Sequence, residues 1–209
     1  MIQKIIEYLD YLFPNPECEL NYSKDYELLI AVMLSAQTTD KSVNKVTEVL
    51  FHKYPTLDSL TNANIDDIIE IIRPIGTYQR KSSNVIEIAK SLVRDCNGRV
   101  PNDREYLESL AGIGHKTANV VLSTLFDENC VAVDTHVTRV SIRLGLATKN
   151  DNVIDIERKL TKKFKGYSLK RLHHQLVLFG RYHCKAKNPN CMVCELKEFC
   201  REKNKLQKK

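Results

Sequence analysis

Leu110-Ala-Gly-Ile-Gly-His-Lys-Thr-Ala118 sets two glycines one residue apart between two segments of helical spacing. Upstream, Tyr106, Leu107 and Leu110 share a face; downstream, Ala118, Val121, Leu122 and Leu125 do the same, so residues 117–126 read as an amphipathic helix. Glycines so placed let two helices share a tight hairpin without a Cβ clash. They also leave backbone N–H groups bare beside a helix N-terminus, a site for a phosphate oxygen that needs no basic side chain. On spacing alone the same residues suit an ordinary αα-hairpin turn. In both readings helix follows helix.

The rest of the chain repeats that pattern. Ile2, Ile5, Ile6 and Leu9 lie at i, i+3, i+4 and i+7, as do Ile65, Ile68, Ile69 and Ile72, then Val85, Ile88, Ala89 and Leu92. Leu169, Leu172 and Leu176 form a similar stripe. Pro14 and Pro16 end the first helix, Asn64 can cap one, Asn97-Gly98 closes another, and Asp134 can cap a helix running through Leu144. Only Cys130–Val133 has strand-like composition, too short to argue a sheet. The fold class is all-α, with ten or eleven short helices expected.

Composition narrows the function. Hydrophobic residues make up 43% of the 209, with 7 Gly and 6 Pro, which excludes a disordered or collagen-like chain. A chain of this length buries on the order of 70% of its unfolded surface, so it needs no disulfide scaffold. Apolar runs such as Leu28–Leu34 fall far short of the roughly 20 residues that span a bilayer. Glu7 and Asp10 sit where a signal peptide would be uncharged, so a soluble cytosolic protein is expected. The net charge of +6 is unevenly spread: residues 1–157 hold 16 basic and 23 acidic side chains, net −7, and residues 158–209 hold 16 basic and 3 acidic, net +13. A basic quarter on an acidic body suits a polyanion, nucleic acid or membrane surface, although the Lys203–Lys209 run reads as a solvated tail. A membrane-surface role is disfavoured, because no basic amphipathic helix with aromatic anchors accompanies the lysines.

Three groups of residues carry chemistry. Lys116 follows Gly114 by two residues, in the first turn of the helix. The positive end of the helix dipole, and burial if present, would favour its neutral, nucleophilic amine over the ammonium; the plain alternative is a solvated surface lysine. In Val131-Ala-Val-Asp-Thr-His136, Asp134 follows an apolar run and precedes a helix, the position of an N-cap, and a capping carboxylate is held in place and kept ionised by the amides it accepts from. His136 gains no role from sequence. Finally, Cys184, Cys191, Cys194 and Cys200 place four thiols within 17 residues, with Asn188-Pro189 turning the first loop. Such crowding in a cytosolic chain favours metal over disulfides. A single C-x2-C tilts the reading from zinc toward an iron–sulfur cluster without settling it. Lys185 and Lys187 ride on the first loop, where they can meet phosphates.

Taken in order, LLIAVMLSAQTTD (28–40), GHKTANVVL (114–122), VAVDTHVTRV (131–140) and the four-cysteine spacing closely resemble the endonuclease III family of DNA glycosylases, in the helix-hairpin-helix superfamily. The resemblance runs from about Asn21 to Cys200. It implies two helical domains flanking a DNA-binding cleft: a six-helix barrel with the helix-hairpin-helix motif over 18–128, and residues 1–17 with 129–209 closed by a [4Fe–4S] cluster on the four cysteines. It implies excision of oxidised pyrimidines from duplex DNA and AP lyase activity by β-elimination. Lys116 would be the Schiff-base nucleophile, Asp134 its activator and the stabiliser of charge on the sugar. Gln37 would fill the gap left by the flipped nucleotide, and Gly112, Ile113, Gly114 and His115 would hold a backbone phosphate. The partner implied is double-stranded DNA with damaged bases or abasic sites, bound by a monomer associated with the nucleoid. The adenine-specific branch lacks a lysine at the position of Lys116, which favours the lyase branch.

Three positions depart from the family. Ala111 stands where the hairpin commonly has Pro, His115 where it commonly has a basic residue, and Thr77 where a bulky apolar wedge enters the base stack. Neither hairpin change alters the backbone amides, so weaker phosphate binding is the most expected of them; Thr77 is a poorer wedge. With no Trp in the chain, stacking on a flipped base would fall to Tyr, Phe or His. The competing function is a metal-stabilised DNA-binding module without catalysis.

Overall fold

The computed structural model describes residues 1–202; Lys203–Lys209, the run read as a solvated tail, lies outside them. Eleven α-helices are described: α1 (Ile2–Leu12), α2 (Asp25–Leu34), α3 (Asp40–Lys53), α4 (Leu57–Thr61), α5 (Ile65–Ile72), α6 (Tyr78–Cys96), α7 (Arg104–Ser109), α8 (His115–Phe126), α9 (Thr135–Arg143), α10 (Val153–Lys163) and α11 (Leu169–Leu178). The chain is all-α, and the described residues contain no β-strand. Cys130–Val133 leads into α9 as neither helix nor strand, burying Val131, Ala132 and Val133. Two units divide the chain, one of Met1–Cys18 with Asp127–Lys209 and one of Glu19–Phe126.

The Glu19–Phe126 unit is built around α2. Every residue from Tyr26 to Leu34 is buried, on all sides of the helix, because α3, α6 and α8 pack around it. At its N-terminus the buried Glu27 carboxylate accepts from the amides of Ser23 (2.7 Å) and Lys24 (3.2 Å). The long helix α6 lies against α4 and α5 and buries Val85, Ile88, Ala89 and Leu92. It closes as the sequence predicts: Asn97 (φ 50°) and Gly98 (φ 76°) turn left-handed, and the Gly98 amide returns to the Leu92 carbonyl at 2.9 Å. Asn64 caps α5 by accepting from the Asp66 amide at 2.9 Å.

In the other unit α1, α9, α10 and α11 share a core of Ile5, Leu9, Val137, Val140, Ile156, Leu160, Leu172 and Leu176. Asp10 on α1 ties that helix to α11, accepting from Tyr167, Arg171 and Gln175 at 2.8 Å each. Burial works to raise the Asp10 pKa, but these donors prevail and hold it below the usual carboxylate value. Beyond Leu178 the helix widens into a π-helical turn, Phe179–His183, which delivers the chain to Cys184.

Candidate functional site

The hairpin between α7 and α8 rests on two buried side chains, Leu110 and Ile113, with the Ile113 amide bonded to the Leu110 carbonyl at 3.1 Å. The two glycines differ in kind. Gly112 has φ +77°, and a Cβ there would meet Asn84 Nδ2 at 2.3 Å and Met33 Cγ at 3.4 Å. Folding alone therefore demands glycine at 112. Gly114 has no atom within 4 Å of an added Cβ and no left-handed backbone. It is exposed, at the mouth of α8, where the free amides of a first helical turn suit an anion.

Helix α8 begins at His115, two residues before the amphipathic stretch read from sequence, so Lys116 is its second residue. Lys116 is half-exposed, and among the described residues it has no hydrogen-bond or ion-pair partner. The ring of His115 is engaged inside the protein: Nδ1 lies 3.0 Å from Glu108 Oε1 and Nε2 3.4 Å from Asn119 Nδ2. Asn119 in turn accepts from Arg104 at 2.6 Å. The ring thus braces α7 against α8.

Two more predicted DNA contacts sit on turns of the same unit. Gln37, exposed in the turn after α2, has φ 57°, and Thr77, exposed at the start of α6, has φ 55°. A β-branched residue rarely adopts this conformation, so Thr77 stores backbone strain. Its hydroxyl donates to the Gly76 carbonyl at 2.7 Å.

Asp134 and the cysteines belong to the other unit. Asp134 is the N-cap of α9, with Oδ1 accepting from the Val137 amide at 2.8 Å, so the carboxylate is held in one orientation. His136, in the first turn of α9, accepts from Arg139 at 3.2 Å. Burial lowers the His136 pKa, and Asp134 opposes that shift.

All four predicted cysteines line one pocket, together with Leu144, Phe179, His183, Pro189, Asn190 and Lys197. Among the described residues no three His, Cys, Asp or Glu side chains close around a single ion. Arg143, which sequence reading missed, organises the loop. It donates to Cys184 Sγ (3.4 Å) and the Lys185 carbonyl (2.8 Å), while its own carbonyl accepts from the Arg201 amide at 2.6 Å. Lys185 and Lys187 stand exposed on this loop. Also missed is Lys81 on α6, buried with its ammonium among the backbone oxygens that follow α2. A lysine at helical spacing among polar neighbours gives no sequence signal of burial.

The family model for the HhH-GPD superfamily base excision DNA repair protein matches residues 30–166. Endonuclease III of Bacillus subtilis (strain 168) is 43% identical over 208 residues, covering 100% of this chain and 95% of that protein. Endonuclease III of Escherichia coli (strain K12) is 43% identical over 193 residues, covering 92% and 91%. A solved structure of a trapped endonuclease III–DNA covalent intermediate superposes with a TM-score of 0.91 at 43% identity, covering 97% of this chain and 96% of that one. A thermostable thymine-DNA glycosylase, at 20% identity and a TM-score of 0.83, shares the fold.

Proposed function

The chain belongs to the endonuclease III family of HhH-GPD base excision DNA repair proteins, and from that premise we propose the residues by which it works. The protein is a DNA glycosylase and AP lyase, and its partner is duplex DNA. We assign it oxidised pyrimidines as substrates.

In this reading the amine of Lys116 attacks C1′ of the lesion's deoxyribose. The bond to the base breaks, the base leaves with the electron pair, and the opened sugar remains joined to Nζ as a Schiff base. Loss of a C2′ proton then expels the 3′ phosphate by β-elimination. Asp134 serves as the carboxylate that accepts the lysine's proton and offsets positive charge on the sugar. The capping bond from Val137 fixes Oδ1 of that carboxylate. The Gly112-Ile113-Gly114 backbone and the start of α8 hold a phosphate, while Gln37 and Thr77 contact the DNA around the extruded nucleotide.

One observation carries the catalytic reading: among the described residues Lys116 stands unpartnered in the first turn of α8, directly after the two-glycine hairpin. A lysine that only met a phosphate would form no covalent bond to DNA, so trapping separates the two readings. Borohydride should trap a covalent complex between the protein and a lesion-containing duplex, and Lys116→Ala should abolish it. Normal trapping by that variant would refute the assignment.

We further propose that Cys184, Cys191, Cys194 and Cys200 hold a [4Fe–4S] cluster. The four thiols line a common pocket, and four thiolates suffice to give each iron of such a cluster one ligand. When bound, the cluster supplies four iron–thiolate bonds that cross-link the loop. Arg143 orients Cys184 and the backbone that carries Lys185. Purified protein should be brown, with iron and sulfide in equal amounts; colourless protein containing zinc would overturn the assignment.

A further inference from the structure

Helix α6 enters the proposed DNA-contacting surface along one face. Thr77 at its start, Lys81 and Asn84 follow at i, i+4 and i+7. Thr77 is a proposed contact itself, and Asn84 sits against the backbone of Gly112. Lys81, between them, reaches the turn that bears Gln37.

We propose that Lys81 is a positioning residue for Gln37: its buried ammonium pins the turn after α2 and so fixes where Gln37 enters the duplex. This rests on the reading that Gln37 fills the gap left by the flipped nucleotide. Lys81 is 4% exposed. Its Nζ donates to the carbonyls of Leu34 (2.9 Å) and Ala36 (2.8 Å) and to Thr38 Oγ1 (3.2 Å). The ammonium's three donors are thereby spent on three acceptors that bracket Gln37, whose left-handed backbone (φ 57°) has no glycine to make it easy.

A surface turn would not need such a residue. The Leu34 carbonyl is at the end of α2, where the last carbonyls lack helical partners and the dipole is negative. Water or a polar side chain would satisfy it at less cost than a buried cation. Among the described residues no carboxylate pairs with Lys81, so these oxygens are its compensation. Burial accordingly pushes the Lys81 pKa down, and the neighbouring Arg80 pushes it the same way. The turn's own bonds are all short-range: Ser35 bonds back to Ala31 O and Val32 O, the Ala36 amide reaches Met33 O at 3.4 Å, the Thr38 amide bonds Ser35 O at 3.0 Å, and the Thr38 hydroxyl donates to Ala36 O at 3.3 Å. Lys81 adds a link from the turn to α6.

The test is equilibrium binding of the full-length protein to two otherwise identical duplexes, one carrying a tetrahydrofuran abasic-site analogue that the lyase cannot cut. Lys81→Met should cut the preference for the abasic duplex at least about tenfold and leave the undamaged duplex within about twofold of wild type. Gln37→Ala should do the same, and the double variant should be no worse than either single one. Equal weakening of both duplexes by Lys81→Met, or additive losses in the double variant, would mark Lys81 as merely structural and overturn the proposal. So would an intact preference in Lys81→Met. If Lys81→Met does not fold, Lys81→Arg keeps the charge but replaces the compact ammonium with a planar fork. Its amide hydrogen exchange should then accelerate at residues 35–38 and nowhere else in the unit; unchanged exchange there refutes the pin. Should Gln37→Ala leave the preference intact, the positioning role falls with the role of Gln37, while borohydride trapping still decides the catalytic reading separately.

Discussion

Gly112 and Gly114 lie two residues apart in one hairpin and should fail in opposite ways when given a methyl group. At Gly112 the backbone has φ +77°, and the new Cβ would stand 2.3 Å from Asn84 Nδ2. A left-handed conformation costs a residue with a Cβ roughly 1–2 kcal/mol. Displacing the Asn84 amide adds to that, and the stiffer unfolded chain returns about 0.4–1 kcal/mol. Gly112→Ala should therefore lose about 1–3 kcal/mol of folding stability, which lowers the melting temperature by roughly 2–10 °C for a chain of this size. At Gly114 the added methyl meets nothing within 4 Å and strains no left-handed backbone. Its stability should stay within about 0.5 kcal/mol of wild type. Its effect falls on DNA, because the methyl occupies the space through which a phosphate oxygen approaches the amides. Losing one charge-assisted hydrogen bond costs about 1.5–3 kcal/mol, roughly tenfold to a hundredfold in affinity. Thermal unfolding and fluorescence anisotropy on a duplex with an abasic analogue, run on both variants, separate the two effects. Equal melting temperatures for the two variants would refute the assignment of Gly112 to folding. Wild-type DNA affinity in Gly114→Ala would refute phosphate binding by the hairpin.

Other expectations are independent of the hairpin. Lys185→Ala with Lys187→Ala should weaken binding to damaged and undamaged duplex alike and reduce the slope of log K against log salt by about 2, whereas Gly114→Ala should leave the slope unchanged; an unaltered slope in the lysine variant would remove these residues from the interface. His174 on α11 is deeply buried, which lowers its pKa from 6.5 to about 4, with Lys170 contributing in the same direction. Its stabilising effect is complete above pH 6.5 and is lost as pH falls toward 4, because the unfolded chain takes the proton first, at about 1.4 kcal/mol for each pH unit and roughly 3 kcal/mol in all. Chemical unfolding across this range should show that loss in wild type and a flatter profile in His174→Gln; the same slope in both would reassign it to other groups. Thr77→Leu replaces a poor wedge with a bulky apolar one and should tighten binding to the abasic duplex by severalfold, measured by the same anisotropy titration; no gain would show that residue 77 does not enter the base stack.

What the sequence made legible was local. Asn64, Asn97-Gly98 and Asp134 act on amides or carbonyls within a few residues of themselves, so residue type and position sufficed to predict their caps. The hairpin was legible for the same reason, and the crowding of the cysteines anticipated the one pocket that all four line. Two other features were not. Helix α2 is apolar on every side, so it shows no 3.6-residue period, and its residues entered the reading as a family motif and as a stretch too short for a bilayer, not as a helix. Lys81 and Arg143 bind partners some 41 to 47 residues away, and a long basic side chain reads the same whether it ends in solvent or on a buried carbonyl. The ring of His115 is engaged with Glu108 and Asn119, which the sequence did not reveal and which leaves its backbone amide, the group read as a phosphate contact, unaffected.

Charge looks different when counted along the fold. The Glu19–Phe126 unit has 12 basic and 14 acidic side chains, net −2, and the described residues of the other unit have 16 and 12, net +4. Residues 1–18 and 127–157 join the basic quarter in space and soften the contrast seen along the chain. The sign of each unit nevertheless survives, and it constrains how each can grip the same polyanion. A unit with net −2 gains little from long-range attraction, so its hold on a phosphate has to be short-ranged: amides at a helix mouth, aligned by a glycine that the fold requires and exposed by one it does not. A unit with net +4 can place lysines on a loop whose backbone Arg143 fixes, and draw on counterion release. The first mode depends on geometry at the scale of one methyl group and hardly on salt. The second tolerates small displacements and weakens steeply as salt rises. A glycosylase must both find DNA and hold one nucleotide in register, and under the contacts proposed for this chain the two demands fall on two units of opposite charge.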